Sequence, residues 1–401
     1  LPYTLDWTLA KIPVHFNKIR HMTQTHTRSN PFSFIVFLFF SASILSSAEK
    51  CSQSAPAVSS TELAKPVDEL LFSHIKGLGD IYARDEIWKG YAYNSYHQYL
   101  VHFTEKGPDR AFVINPPTPP KGAIRLDANE GKGLVIYRYD LRMKEAYDLV
   151  FGPDGNGTFE FTFDIAGNNY YLQAYSDDLA EGSGDTSRAV SFSTHELFHR
   201  YQDNWENVPD SKQDFDNFPL TVELLELQIL CQEIMKELPS YPSEISALKK
   251  ILRQYVAIRS KEMELDPTPD QLIRNHELYQ EQMEGSPKYI ETMGNLQFFT
   301  QSTVPVHFSY SIFEFSIETK AEVRGMMGQS VYYGTGPSAI YILDRLGVNI
   351  EAMEQGKTPY DLAKAYLNMS KSERDQALRE AKMIKNWPEI QAKAREWMAL
   401  R

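Results

Sequence analysis

The chain has 401 residues, 42% of them hydrophobic and 23% charged, which is ample for a sizeable core in one or two domains. Its net charge of −12, from 41 Lys and Arg against 53 Asp and Glu, argues against a nucleic-acid partner. No repeat of solenoid length is visible.

The first methionine is Met22, and residues 1–21 are expected to be sequence upstream of the true start. From Met22, "MTQTHTRSNPFSFIVFLFFSASILSSAEK" has the form of a secretory signal over residues 22–48. A polar start with Arg28 leads into an apolar stretch from Phe32 to Leu45, then small residues at Ser46-Ser47-Ala48 where a signal peptidase can cut. The apolar stretch is too short to span a bilayer comfortably, and no later run is a better candidate, so no stable membrane span is expected after cleavage. The mature chain is predicted to be secreted or periplasmic. Loss of Lys11, Lys18, Arg20 and Arg28 against Asp6 makes it still more acidic. The two cysteines, Cys51 and Cys231, either pair in an oxidising compartment or stay free.

Residues 49–65 are a small-residue linker. Residues 66–184 are expected to be rich in strands. "YHQYLVHF", "RAFVIN", "GLVIYRYDL" and "GTFEFTFDI" are short β-type runs between Gly, Pro, Asn and Asp clusters. Phe159, Phe161, Phe163 and Ile165 alternate with polar residues, which predicts one half-buried strand face. "NPPTPPKG" must be a loop, because prolines cannot donate ladder hydrogen bonds. Residues 185–401 are expected to be helical, with helices over 187–204, 220–238, 243–264, 270–284, 288–300, 335–347 and 371–399, and an extended interlude at "TQSTVPVHFSYSIFEFS". The fold class is therefore α+β, with a twisted sheet packed on a mainly helical C-terminal part.

"SFSTHELFHRYQ" opens the helical part and holds two of the chain's ten histidines. His195 and His199 are four apart, so on a helix they project from one face, a turn apart, and can share a Zn²⁺ ion. Glu196 then lies beside the metal, where a carboxylate can take a proton from water acidified by zinc. Val190, Thr194, Leu197, Tyr201 and Trp205 form a separate, mostly apolar stripe, which leaves the histidines free to face a cleft. Two buried, hydrogen-bonded core histidines are the alternative reading.

Further along, Glu284-Gly285-x-x-x-Tyr289 resembles the Glu-Gly-x-Ala-x-Tyr signature of gluzincin metallopeptidases, with Pro287 where that signature has Ala. Together with His-Glu-x-x-His, this makes the central region, about residues 150–300, similar to an exported gluzincin-type zinc peptidase. The resemblance implies a single Zn²⁺ held by His195, His199 and Glu284, with Glu196 as general base and a peptide or protein as substrate. It also implies that Tyr289 supports the ligand helix, and that the helices near 220–238 and 243–264 are inserted between the ligands. Glu226, closer to His199 in sequence, is the second choice as third ligand, and Glu281 the third. Glu277 and Glu291 share the helical face of Glu284 and are expected to belong to a solvated acidic stripe.

An oxyanion needs a donor beside the metal. Tyr332 and Tyr333 in "SVYYGTGPSA" and His307 are the candidates, with Tyr333 preferred. By analogy with the fold that the resemblance implies, a strand in the 150–180 region, such as "NNYYLQAYS", is expected to pair with an extended peptide at a sheet edge. Two further readings stand beside the enzyme. One is a binding homologue that keeps the site without turnover, and the other is a structural exported protein in which the motif arose by chance.

Overall fold

The computed structural model describes residues 63–401 apart from Asn129, Asp154, Asn156, Thr158 and the stretches 178–184, 207–216, 239–243 and 301–307. The export signal, Cys51, nearly all of the linker and His307 lie outside the described residues.

The N-terminal part is a six-stranded mixed sheet of order β3-β4-β2-β1-β6-β5. Its strands are β1 (Gln98–Thr104), β2 (Gly107–Ile114), β3 (Ile124–Arg125), β4 (Ile136–Arg138), β5 (Phe159–Ile165) and β6 (Asn168–Tyr175). Only β1 and β6 run parallel, Gln98 opposite Tyr171, while every other neighbouring pair is antiparallel. The β5–β6 hairpin turns through Ala166 and Gly167, both at positive φ (55° and 81°), the backbone that a two-residue hairpin matched to strand twist requires.

The sheet is buried on both faces. Leu100, Phe112, Ile114, Ile136, Phe159 and Tyr171 join the main core, which continues into the helical part as far as Trp397. Tyr99, Val101, Ala111, Val113 and Leu172 face the other way, under Ala146 and Val150 of α2 (Met143–Phe151).

Strand β5 corrects the expected alternation. Its pairing with β6 slips between Glu160 and Phe163. Phe159 and Phe161 consequently pack on the main core, whereas Phe163 and Ile165 pack on the opposite side. A bulge adds one residue to a period of two, so every later side chain changes face. The example strand "NNYYLQAYS" is β6 and is paired on both sides, whereas the sheet edge within 150–180, among the described residues, is β5.

The strand-rich part also contains a helix the sequence reading passed over, α1 (Pro66–Tyr82), which buries Val67, Leu71, Phe72, Ile75 and Leu78. Its two interior glycines reflect close approach. A Cβ on Gly79 would sit 2.0 Å from the Asn94 amide, and one on Gly77 would sit 2.1 Å from the Phe298 ring.

The C-terminal part is mostly helical: α3 (Asp185–Gln202), α4 (Val222–Lys236), α5 (Ile245–Leu265), α6 (Leu278–Met283), α7 (Gly285–Asn295), α8 (Lys320–Gly325), α9 (Tyr332–Arg345), α10 (Pro359–Leu367), α11 (Lys371–Ala381) and α12 (Trp387–Ala399). The single helix expected over 371–399 is two. Pro388, in the first turn of α12, cannot donate back along a continuous helix. The described residues of the expected extended interlude hold one short 3₁₀ turn, Ile312–Glu314, and no strand. No helix among the described residues is long and apolar enough to cross a membrane.

Candidate metal centre

Helix α3 contributes His195, Glu196 and His199. Its apolar side, with Val190, Leu197 and Phe198, is buried in the main core together with Trp205 just beyond the helix end, and this fixes the helix in rotation. The two imidazoles consequently face the α6–α7 segment, where Glu284 is the single residue between the two helices. Glu284 keeps helical dihedrals (φ −94°, ψ −33°), so the chain passes through it without a sharp turn despite Pro287.

His195 Nε2 and His199 Nε2 each lie 3.6 Å from Glu284 Oε2. Ligand atoms of a tetrahedral zinc site are about 3.3 Å apart, given bonds of ~2.05 Å, so this spacing suits one shared ion. Glu284 is completely buried, and neither of its oxygens has a donor at normal hydrogen-bond distance among the described residues, the groups that act on it being His195, His199 and the Tyr333 hydroxyl. A fully desolvated carboxylate without donors is expensive unless a cation meets it, and the donor set of two imidazoles and a carboxylate suits zinc. His195, His199 and Glu284 could therefore hold a metal ion, and no other trio of His, Cys, Asp or Glu among the described residues is so arranged.

The electrostatics agree. Burial alone would raise the Glu284 carboxyl, but the imidazoles of His195 and His199 outweigh it and hold the group at about 2. Burial likewise opposes protonation of His195, yet Glu284 and Glu291 lift it to about 9. Glu196, buried beside them with Oε2 unpartnered, is pushed up by burial against the pull of both histidines.

No family model, curated protein or solved structure matches this chain. The α+β scaffold thus carries a His-His-Glu triad that could hold a metal ion.

The remaining candidates separate cleanly. Tyr333, at the start of α9, stacks on His195 at 5.8 Å between ring centroids, and its hydroxyl, raised by burial, interacts with Glu284. Tyr332 points away, its hydroxyl accepting from Gln228 Nε2 at 3.1 Å. Glu226, the alternative third ligand, is elsewhere, accepting from Gln391 Nε2 of α12 at 3.3 Å. Glu281 is committed to Arg259 Nη2 at 2.6 Å and to the Tyr255 hydroxyl. Tyr289 donates to Asp344 Oδ2 at 2.9 Å and so ties α7 to α9.

Glu277 and Glu291 are not a solvated stripe. Glu277 is buried. Glu291 Oε2 accepts from His195 Nδ1 at 3.2 Å, and its Oε1 accepts from Lys288 Nζ at 2.6 Å. Gln202, one turn beyond His199, is a further member of the site that the motif does not indicate. Its Oε1 is 2.8 Å from His199 Nδ1. The spacing of three was legible, but a glutamine at that distance carries no sign of its own.

Proposed function

We propose that this chain is an exported zinc metallopeptidase of the gluzincin type. The observation that carries the reading is Glu284, a fully buried carboxylate with no donor at normal hydrogen-bond distance among the described residues, 3.6 Å from each of two imidazole nitrogens. His195, His199 and Glu284 would hold the ion, leaving a fourth position for water or substrate. Zinc bound there supplies Lewis-acid polarisation of a carbonyl and lowers the pKa of water. Glu196 takes a proton from the attacking water and delivers it to the leaving amine, a role favoured by the upward push of burial on its carboxyl. Tyr333, next to His195, donates to the developing oxyanion.

Peptide rather than small-ester chemistry is favoured by β5, which is an edge strand among the described residues. Its Phe161 lies 6.5 Å from the His199 ring, so a strand added to that edge would pass beside the metal centre.

The test is zinc content and cleavage of a mixed peptide library by the purified chain and by Glu196→Gln. One zinc per chain with cleavage abolished in the variant supports the reading. Absence of zinc from the wild type removes it, and zinc with no Glu196-dependent cleavage leaves a non-catalytic binding protein.

A further inference from the structure

Gln202 is 3% exposed and spends its amide on two different elements. Its Nε2 lies 3.2 Å from the Met283 carbonyl and 3.4 Å from that of Gln282. Backbone carbonyls only accept, so the NH₂ end must face them. Oε1 then faces His199, and the 2.8 Å contact requires a proton on Nδ1. The lone pair of His199 is left on Nε2, the atom that faces Glu284.

The Met283 carbonyl is available for a reason written in the sequence. Its helical donor would be the N–H of the residue four positions on, which is Pro287 and has none. The Gln282 carbonyl, by contrast, accepts from Ser286 Oγ at 2.7 Å. Pro287 thus frees one buried acceptor immediately before Glu284, and a side chain of the histidine helix fills it.

We propose that Gln202 is a positioning residue that couples the orientation of His199 to the helix carrying Glu284, through the Met283 carbonyl that Pro287 leaves without a donor. The inference rests on the metal-site reading above. It turns Pro287 from a departure from the gluzincin signature into half of a clamp. His195 is held from the same direction, by Glu291 of α7, so both imidazoles are set by the segment that supplies the carboxylate.

The experiment is zinc affinity by chelator competition, together with the visible spectrum of the cobalt-substituted chain. Thermal unfolding of each metal-free variant checks the fold. Gln202→Met, which loses both contacts, is expected to weaken zinc binding about 10- to 100-fold and to shift the cobalt bands. Gln202→Glu, which keeps the acceptor for His199 but loses the donor to Met283, should lose less. Adding Pro287→Ala to Gln202→Glu returns a backbone N–H to the Met283 carbonyl and should recover affinity. Unchanged affinity in Gln202→Met, or no effect of Pro287→Ala on Gln202→Glu, overturns the clamp while leaving the metal site intact. Failure of the wild type to bind zinc removes the metal-site reading, and the clamp with it.

Discussion

Gly285 and Gly336 meet backbone to backbone where the Glu284 segment crosses α9. A Cβ on Gly285 would lie 2.7 Å from Gly336 Cα, and one on Gly336 would lie 2.6 Å from the Glu281 carbonyl oxygen. This contact sets the distance between Glu284 and Tyr333, each one to three residues from it. Gly336→Ala must push rigid backbone apart, so it should lower stability by about 1–3 kcal/mol in chemical denaturation. It should also weaken zinc binding, because the displaced segment carries a proposed ligand. A variant with wild-type stability would show that the crossing is looser than the contact implies.

Much of the fold was legible because the hydrophobic period changes near residue 185, from two to about 3.6. The errors arise where partners distant in sequence decide the outcome. The extra residue in β5 leaves the Phe159-to-Ile165 alternation intact on paper and reverses its second half in space. In the site, Glu277, Glu281, Glu284 and Glu291 occupy one helical stripe and look equivalent. Arg259 claims Glu281, His195 claims Glu291, and among the described residues Glu284 has no donor at normal hydrogen-bond distance. Spacing nominated the set, and tertiary contacts assigned its members.

Behind the candidate metal site, Arg259 is buried and unites three helices. Its Nη1 donates to Glu262 Oε2 at 2.7 Å and Gln228 Oε1 at 2.8 Å, and its Nη2 to Glu281 Oε1 at 2.6 Å. Replacing it by methionine keeps most of the volume but strands the Glu262 and Glu281 carboxylates in the core. Breaking one side of a buried ion network in this way is expected to destabilise the chain by about 3–5 kcal/mol. The denaturation midpoint measures it, and a loss under about 1 kcal/mol would mean that water reaches those carboxylates.

Metal removal separates the site from the scaffold. Zinc held at one hundred times its dissociation constant stabilises the folded chain by about 2.7 kcal/mol. Stripping zinc from the wild type with a chelator should therefore lower the melting temperature. Glu284→Gln presents a neutral amide in place of the carboxylate, so the same chelator should leave its melting temperature unchanged. An equal drop in both proteins would place the metal elsewhere.

The pH dependence should differ between the metal-free and zinc-loaded chains, zinc cancelling the loss of stability that the metal-free chain shows as His195 deprotonates. In the metal-free chain His195 is raised to about 9, so its contribution is fully present below its ordinary 6.5 and is lost as pH rises through 9. Burial raises the Glu262 carboxyl to about 7 despite Arg259, and that contribution, present below the ordinary 4.5, is likewise lost as pH rises through 7. Glu284, held near 2, acts in the opposite direction only in acid, where its contribution disappears as pH falls from 4.5 through 2. The metal-free chain should therefore be most stable near pH 4.5, where the Glu262 and Glu284 contributions balance, and weaker at pH 8.5. Zinc binding requires His195 to release its proton, so below pH 9 zinc affinity should rise about tenfold per pH unit for that one proton. Denaturation midpoints across pH 5 to 9, with and without saturating zinc, check both halves. Parallel profiles would mean that His195 releases no proton on binding and is not a ligand.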